Sequence, residues 1–185
     1  MYPEYAEIKG KKYKIDTDYR TALRCFEVVN DPNITDFERA KAIVYLLFDF
    51  IPEKDFDLFL EKAKTFLECG DSKNNQKNGK KDMDFEKDRS YIVASFMSDY
   101  HINITQEKLH FWYFIELIVG LKEDCVLNRI RDIRNYDINE IKDPHARSKM
   151  LEAKMMFSLE DNSKMPTKEQ EKSAMAFYQQ LRKEW

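Results

Sequence analysis

The sequence predicts a mainly α-helical protein, a helical bundle with a small N-terminal β-hairpin. Three observations carry that prediction. Gly (4) and Pro (5) are scarce in 185 residues, which disfavours a sandwich of short strands and tight turns. Apolar residues recur at three- and four-residue spacing through most of the chain. One short stretch near the N-terminus alternates instead, around a glycine.

The hairpin comes first. Tyr5 to Ile8 and Lys12 to Ile15 flank Lys9-Gly10-Lys11, with Tyr and Ile alternating with polar residues. An isolated hairpin is marginal in water, so this one should dock on helices. A helix should start near Thr17 or Asp18, with Leu23, Phe26 and Val29 or Asn30 at helical spacing, and end at Asp31-Pro32. Thr35 and Glu38 form a capping-box pattern. The helix they open carries Ala40, Ile43, Val44, Leu47 and Phe48 on one face, and Pro52 closes it. Phe56, Phe59, Leu60, Ala63 and Leu67 mark a third helix, which stops near Gly70.

Residues 71–82 read DSKNNQKNGKKD. Nothing apolar is present to drive packing, so the stretch reads as a linker or loop. It divides the expected organisation into residues 1–70, a hairpin plus helices, and residues 83–185, a helical unit, with a shared core left open.

The most apolar part of the chain follows. A helix opening at Asp84 bears Phe85, Ile92 and Phe96 in one stripe, with Glu86 and Asp88 in its first turn, where carboxylates suit the helix dipole. A second, capped by Thr105, carries Trp112, Phe114, Ile115 and Ile118 among apolar residues over most of its circumference, so it should be buried on several sides. Gly120 fits its C-terminal glycine. These seven aromatic and aliphatic residues are the expected structural core. A shorter helix over Glu123 to Arg134 turns Val126 or Leu127, Ile130 and Ile133 inward and projects Arg129, Arg131 and Arg134. Ile138 to Leu159 reads as helical with a break near Pro144. A loop over Asn162 to Thr167 precedes a last helix capped by Thr167 and Gln170.

The composition bounds function by exclusion. There are 31 basic and 34 acidic residues, for a formal net charge of -3. That balance gives no general attraction to nucleic acid or to an anionic membrane. Lys77, Lys80 and Lys81 alone are a weak basic cluster. No apolar run approaches the roughly 20 residues that span a bilayer, and the N-terminus has no apolar signal region. Cys25, Cys69 and Cys125 are far apart and odd in number, without metal spacing or a disulfide framework. These features place the protein in a cytoplasm and imply no cofactor.

Asp84, Asp88, Tyr91, Ser95 and Asp99 lie on one polar stripe of a helix, at intervals of four, three, four and four, with His101 near its end. A metal-dependent hydrolase would need such carboxylates to hold a hard cation. A solvated face is the commoner meaning of the pattern. A third meaning is an internal ion pair between Asp84 or Asp88 and Arg131 or Arg134, which fixes orientation more than it adds stability. His110, in an apolar helix, reads as a hydrogen-bonded core histidine rather than a ligand. No serine has nucleophile-elbow context and no glycine loop can cradle a phosphate.

The block DFEKDRSYIVASFMSDYHINI, then KLHFWYFIELIVGL, then IRDIRNYDI, resembles the bacteriophage Gp-fifteen family. The matching features are Asp84-Phe85-x-x-Asp88-x-x-Tyr91-Ile92, Ala94-Ser95-Phe96, Tyr100-x-Ile102, Leu109-His110-x-Trp112, Gly120-Leu121 and Ile133-Arg134. Lys9 to Tyr13 and Asp18-Tyr19-Arg20 look like the family's opening, so the likeness reaches to about residue 140. The resemblance implies a protein of phages and prophages of Gram-positive hosts, encoded in the tail-gene region. It implies no catalytic residues.

The C-terminal third adds a surface feature. Met150, Met155, Met156 and Met175, with Phe177, are the candidate partner-binding residues, because methionine adapts to varied apolar partners. Ordinary core filling is the competing explanation.

The combined expectation is a non-catalytic tail-morphogenesis protein, a tail assembly chaperone for the tape measure or tail tube protein, working in the host cytoplasm. A structural tail or connector subunit of the virion is the alternative, compatible with a homo-oligomer. A metal-dependent enzyme built on the acidic stripe stands third.

Overall fold

The computed structural model describes residues 1–70, 81–160 and 167–183. The described chain is mainly helical, with one antiparallel two-stranded hairpin at its start. Strand β1 (Tyr5–Ile8) pairs with β2 (Lys11–Lys14), Ile8 opposite Lys11. The turn is therefore only Lys9-Gly10, both with positive φ (50° and 77°). That is the twist a two-residue hairpin requires, and it sets the second strand to begin at Lys11, one residue before the expected Lys12. Ala6, Ile8 and Ile15 are buried.

By its contacts the described chain divides into two units. Unit 1 is Met1–Gly79 with Ile104–Gly120; unit 2 is Lys80–Asn103 with Leu121–Trp185. The expected C-terminal unit over 83–185 thus gives up Ile104–Gly120. The reason is a pairing of backbone segments distant in sequence. Asp18 and His110 form an isolated antiparallel bridge, Phe111 N–H donating to Thr17 O at 2.8 Å and Tyr19 N–H to Leu109 O at 3.0 Å. The expected linker over 71–82 lies outside the described residues except at Lys81 and Asp82. Asp82 is tied down, accepting from Arg131 Nε at 3.2 Å and Asn135 Nδ2 at 3.1 Å.

In unit 1, helix α1 (Tyr19–Asn30) is capped by Asp18, whose carboxylate accepts from Arg20 N–H. Its buried face is Tyr19, Ala22 and Cys25, one position off the expected Leu23–Phe26–Val29 stripe; Val29 is exposed. Small Ala22 and Cys25 let the neighbouring helices approach, a choice of face that bulk alone does not signal. Helix α2 (Asp36–Phe48) opens with the full capping box, Thr35 and Glu38 each holding the other's backbone N–H. It buries Ile43, Val44, Leu47 and Phe48, and ends at Asp49, left-handed at φ 62°, before Pro52 is reached. Helix α3 (Phe56–Leu67) buries Phe59, Ala63 and Phe66. At its end Gly70 has φ +80°, and its N–H returns to Thr65 O at 2.9 Å. A Cβ there would stand 3.0 Å from Trp112 Cη2, so both conformation and space call for glycine.

The second apolar helix, α5 (Phe111–Val119), begins later than Thr105. Its cap is His110, whose Nδ1 accepts from Trp112 N–H at 3.1 Å. It buries Phe111, Phe114 and Ile118, the i, i+3, i+7 positions of a single face. Trp112 and Ile115 are half-buried, Tyr113 is exposed, and Val119 is 80% exposed. Burial on several sides is thus not what this helix shows. Gly120 caps it with φ -83°, a conformation open to any residue.

In unit 2, helix α4 (Arg89–Tyr100) begins five residues after Asp84. Phe85 is half-buried, while Ile92 and Phe96 are buried. It packs on α6 (Val126–Asn135), which buries Leu127, Ile130 and Ile133. A 3₁₀ turn (Ile138–Glu140) leads to α7 (Pro144–Met156), capped by Asp143. Pro144 stands at its first turn, where no N–H is needed, so it starts this helix instead of breaking one. The last helix, α8 (Lys168–Lys183), packs on α7. Thr167 and Gln170 form its capping box. Burying a Phe or Ile side chain in either unit contributes about 1.5–3 kcal/mol.

Candidate functional site

The polar stripe of α4 faces into the protein. Asp88 is the N-cap residue of α4, yet its carboxylate makes no cap bond. It accepts instead from both terminal nitrogens of Arg134, each at 2.7 Å, and from Asp84 N–H at 2.9 Å. Arg134 also donates to Phe157 O at 2.6 Å and Asp82 O at 2.8 Å. Seven residues on, Ser95 is fully buried, and its Oγ accepts from Leu127 N–H at 3.1 Å, a donor left over in the first turn of α6. Four further on, Asp99 accepts from Lys122 N–H at 2.9 Å. Asp88, Ser95 and Asp99 therefore lock α4 to the segment that opens α6 and to its last turn.

The other ionic residues distribute differently. Asp84 pairs with Lys81 at 2.5 Å and accepts from Glu86 and Lys87 N–H, both at 3.0 Å. It caps the turn before α4. Partial burial pushes its carboxyl up, but Lys81 and those two backbone donors hold it below the usual range. Arg131 reaches Asp82 at 3.1 Å. Among the described residues no three His, Cys, Asp or Glu side chains are grouped to hold a metal ion.

His110 uses both ring nitrogens. Because Nδ1 accepts from Trp112 N–H, the proton sits on Nε2, which donates to Pro3 O at 3.0 Å. It stacks on Tyr2 at 4.9 Å between centroids. Tyr2 donates its hydroxyl to Glu116, and that hydrogen bond raises its pKa to about 12.

The methionines separate. Met150 is fully buried, packed with Ile130, Ile133, Ala153 and Phe157, so it is core and not a partner surface. Met156, Met175 and Phe177 are partly buried against the same cluster. Met155 is 66% exposed, one turn from exposed Leu151 on α7. Met175 also lines a cavity of about 290 Å³ with Tyr91, Val126, Phe157, Ala176 and the polar Lys172 and Gln179. Sequence reasoning missed this cavity because it assembles from α4, α6, the end of α7 and α8. In unit 1 it missed Phe37 (62% exposed) and Tyr45 on the outer face of α2; the former has Lys41 Nζ 4.3 Å over its ring.

Comparison with known families decides the identity. Residues 2–159 match the model of the family described as Bacteriophage Gp15 protein. The chain belongs to this family. The match runs past the expected residue 140 and takes in all of α7, while α8 lies beyond it. Membership makes the chain a bacteriophage protein of the structural and morphogenetic kind. No curated protein and no solved structure matches it. Among the described residues no helix is long and apolar enough to cross a membrane.

Proposed function

We propose that this Gp15-family protein is a non-catalytic tail assembly chaperone that holds amphipathic helices of the tape measure or tail tube protein in the host cytoplasm. The observation that carries this reading is the fate of the α4 stripe. The polar residues that chemistry would need, Asp88, Ser95 and Asp99, are engaged by Arg134 and by backbone donors. Among the exposed side chains of the helices are apolar ones: Phe37 and Tyr45 on α2, Leu151 and Met155 on α7. Exposed apolar side chains set one turn apart, as Leu151 and Met155 are, or two turns apart, as Phe37 and Tyr45 are, suit the transient burial of a partner helix.

The test is quantitative mass spectrometry of the producing phage. The expected outcome is abundant protein in infected-cell lysate, none in purified virions, and co-purification with the tape measure or tail tube protein. A fixed copy number per particle would make it a structural subunit and remove the chaperone reading.

A further inference from the structure

We propose that the outer edge of β2 takes up an extended segment of another protein as a third strand, and that this segment is acidic and apolar at alternate positions. The residues concerned are other than those of α2 and α7 that support the chaperone reading. The register exposes the edge. Around a two-residue turn, Ile8 and Lys11 are a hydrogen-bonded pair, and Ala6 and Tyr13 are the next. Ile15 N–H, donating to Glu4 O at 2.9 Å, continues the same alternation. Lys12 and Lys14 therefore turn their N–H and C=O groups away from β1. Among the described residues the sheet has two strands, and no backbone group outside it bonds to either lysine.

The side chains set the chemistry of the occupant. Lys11, Lys12 and Lys14 are exposed and form no ion pair among the described residues, whereas Lys9, in the turn, is held by Asp55 at 2.6 Å. Lys12 and Lys14 share the outer face with Glu7 and Tyr5, the residues opposite them on β1, while Ala6 and Ile8 point inward and are buried. The inner face of β2 is apolar. Tyr13 is half-buried, its ring 6.0 Å from that of Phe50, and Phe50 and Ile51 remain 39% and 48% exposed. A strand seated on this edge sets alternate side chains beside Lys12 and Lys14 and the intervening ones beside Tyr13. Carboxylates suit the first set and apolar groups the second. A second copy of β2 does not fit, because it would set lysine against lysine, and the same lysines turn away a neutral strand.

A fluorescein-labelled peptide of alternating glutamate and valine, about eight residues long, tests this against the full chain by fluorescence anisotropy. It should bind, and added salt should weaken it. The K12E/K14E chain should bind it about tenfold or more weakly, and should gain affinity for a peptide of alternating lysine and valine. Absence of binding to the unaltered chain, or equal binding by K12E/K14E, overturns the proposal. Two further peptides separate strand addition from charge alone, one methylated on its glutamate nitrogens and one on its valine nitrogens. An added strand pairs along one edge, so one of the two should lose binding and the other keep it. Any other result overturns strand addition, and this pair decides on the unaltered chain should K12E/K14E melt differently from it. Oligothymidylate bound more tightly than the peptide at equal salt would make the partner a nucleic acid, and a dimer that K12E/K14E dissociates would make it a second copy. Either removes the acidic-strand assignment. Peptide binding by a protein found at fixed copy number in virions keeps this edge and discards the chaperone; co-purification with a tail protein but no peptide binding does the reverse.

Discussion

Arg134 grips Asp88 through two parallel hydrogen bonds of 2.7 Å, in side chains only 9% and 1% exposed. Two charges taken this far out of water are tolerated only when each remaining donor and lone pair is engaged. Arg134 approaches that condition by donating also to the carbonyls of Phe157 and Asp82, and Asp88 by accepting also from the N–H of Asp84. The pair thereby joins the start of α4, the end of α6 and the residues after α7. Its planar fork fixes their relative placement within unit 2.

Removing either partner alone should be costly. Asp88→Ala leaves a buried guanidinium without its counter-charge and should destabilise unit 2 by about 3–5 kcal/mol. Arg134→Lys should fall short of rescue, since an ammonium cannot serve both carboxylate oxygens and two carbonyls in that geometry. The double change Asp88→Leu with Arg134→Met should be milder than Asp88→Ala, because no charge is stranded. Urea unfolding followed by circular dichroism reads all three, and a double change worse than Asp88→Ala would contradict the account.

Ser95 holds a different kind of bond. It is a neutral hydroxyl, fully buried, satisfying the Leu127 N–H in the first turn of α6. Ser95→Ala should cost about 1–3 kcal/mol, the desolvation penalty of one stranded amide. The Leu127 amide should also lose hydrogen-exchange protection selectively. Unchanged protection at Leu127 would show that the hydroxyl is not its partner in solution.

Much of the helical layout was legible because capping and apolar spacing are local signals. Thr35–Glu38 and Thr167–Gln170 both close as their residue types predict. The misreadings have a common source: each depended on a partner distant in sequence. Asp84 looked like an N-cap, yet the turn it caps precedes α4, and Asp88, the residue before the helix, turns to Arg134. Thr105 looked like a cap, yet His110 takes that place because the 109–111 backbone pairs with 17–19. Met150 looked like a binding residue, yet α6, α7 and α8 close over it. The apolarity of α5 suggested burial on several sides, whereas full burial is confined to the Phe111–Phe114–Ile118 face. Which face of a helix is buried cannot be read from a segment that is apolar over most of its circumference.

Two carboxylates should titrate low. In Asp84, and in Asp18 beside Arg20, partial burial pushes the pKa up, but hydrogen bonds to Lys81 and Arg20 and to backbone N–H groups outweigh it. Both folded-state values therefore lie below the ordinary carboxylate value of about 3.9. The sign follows from linkage: the unfolded chain binds these protons first, so their stabilisation is full above about pH 4 and is lost as pH falls through the folded values. Carbon-13 NMR of the side-chain carboxyls should show both midpoints displaced downward. Lys81→Ala should move Asp84 back up and leave Asp18 in place.

Cys25 should be chemically silent in the folded protein. Burial in the α1 face pushes its thiol up to about 12, with a smaller contribution from Asp16. Cys69 is half-buried, and its thiol is raised by burial and then by Glu116. Only the thiolate attacks a disulfide reagent, so at pH 8 Cys69 should react first and Cys25 only as fast as unit 1 opens. Adding urea below the unfolding midpoint should then accelerate Cys25 labelling in step with the opened population. The same burial predicts an alkaline limit. Above about pH 8.5 the unfolded thiol loses its proton while the folded one keeps it, so stability falls as pH rises. Cys25→Ala should remove that part of the alkaline loss while leaving a small cavity, and native-state labelling of Cys25 at a rate indifferent to urea would refute its seclusion.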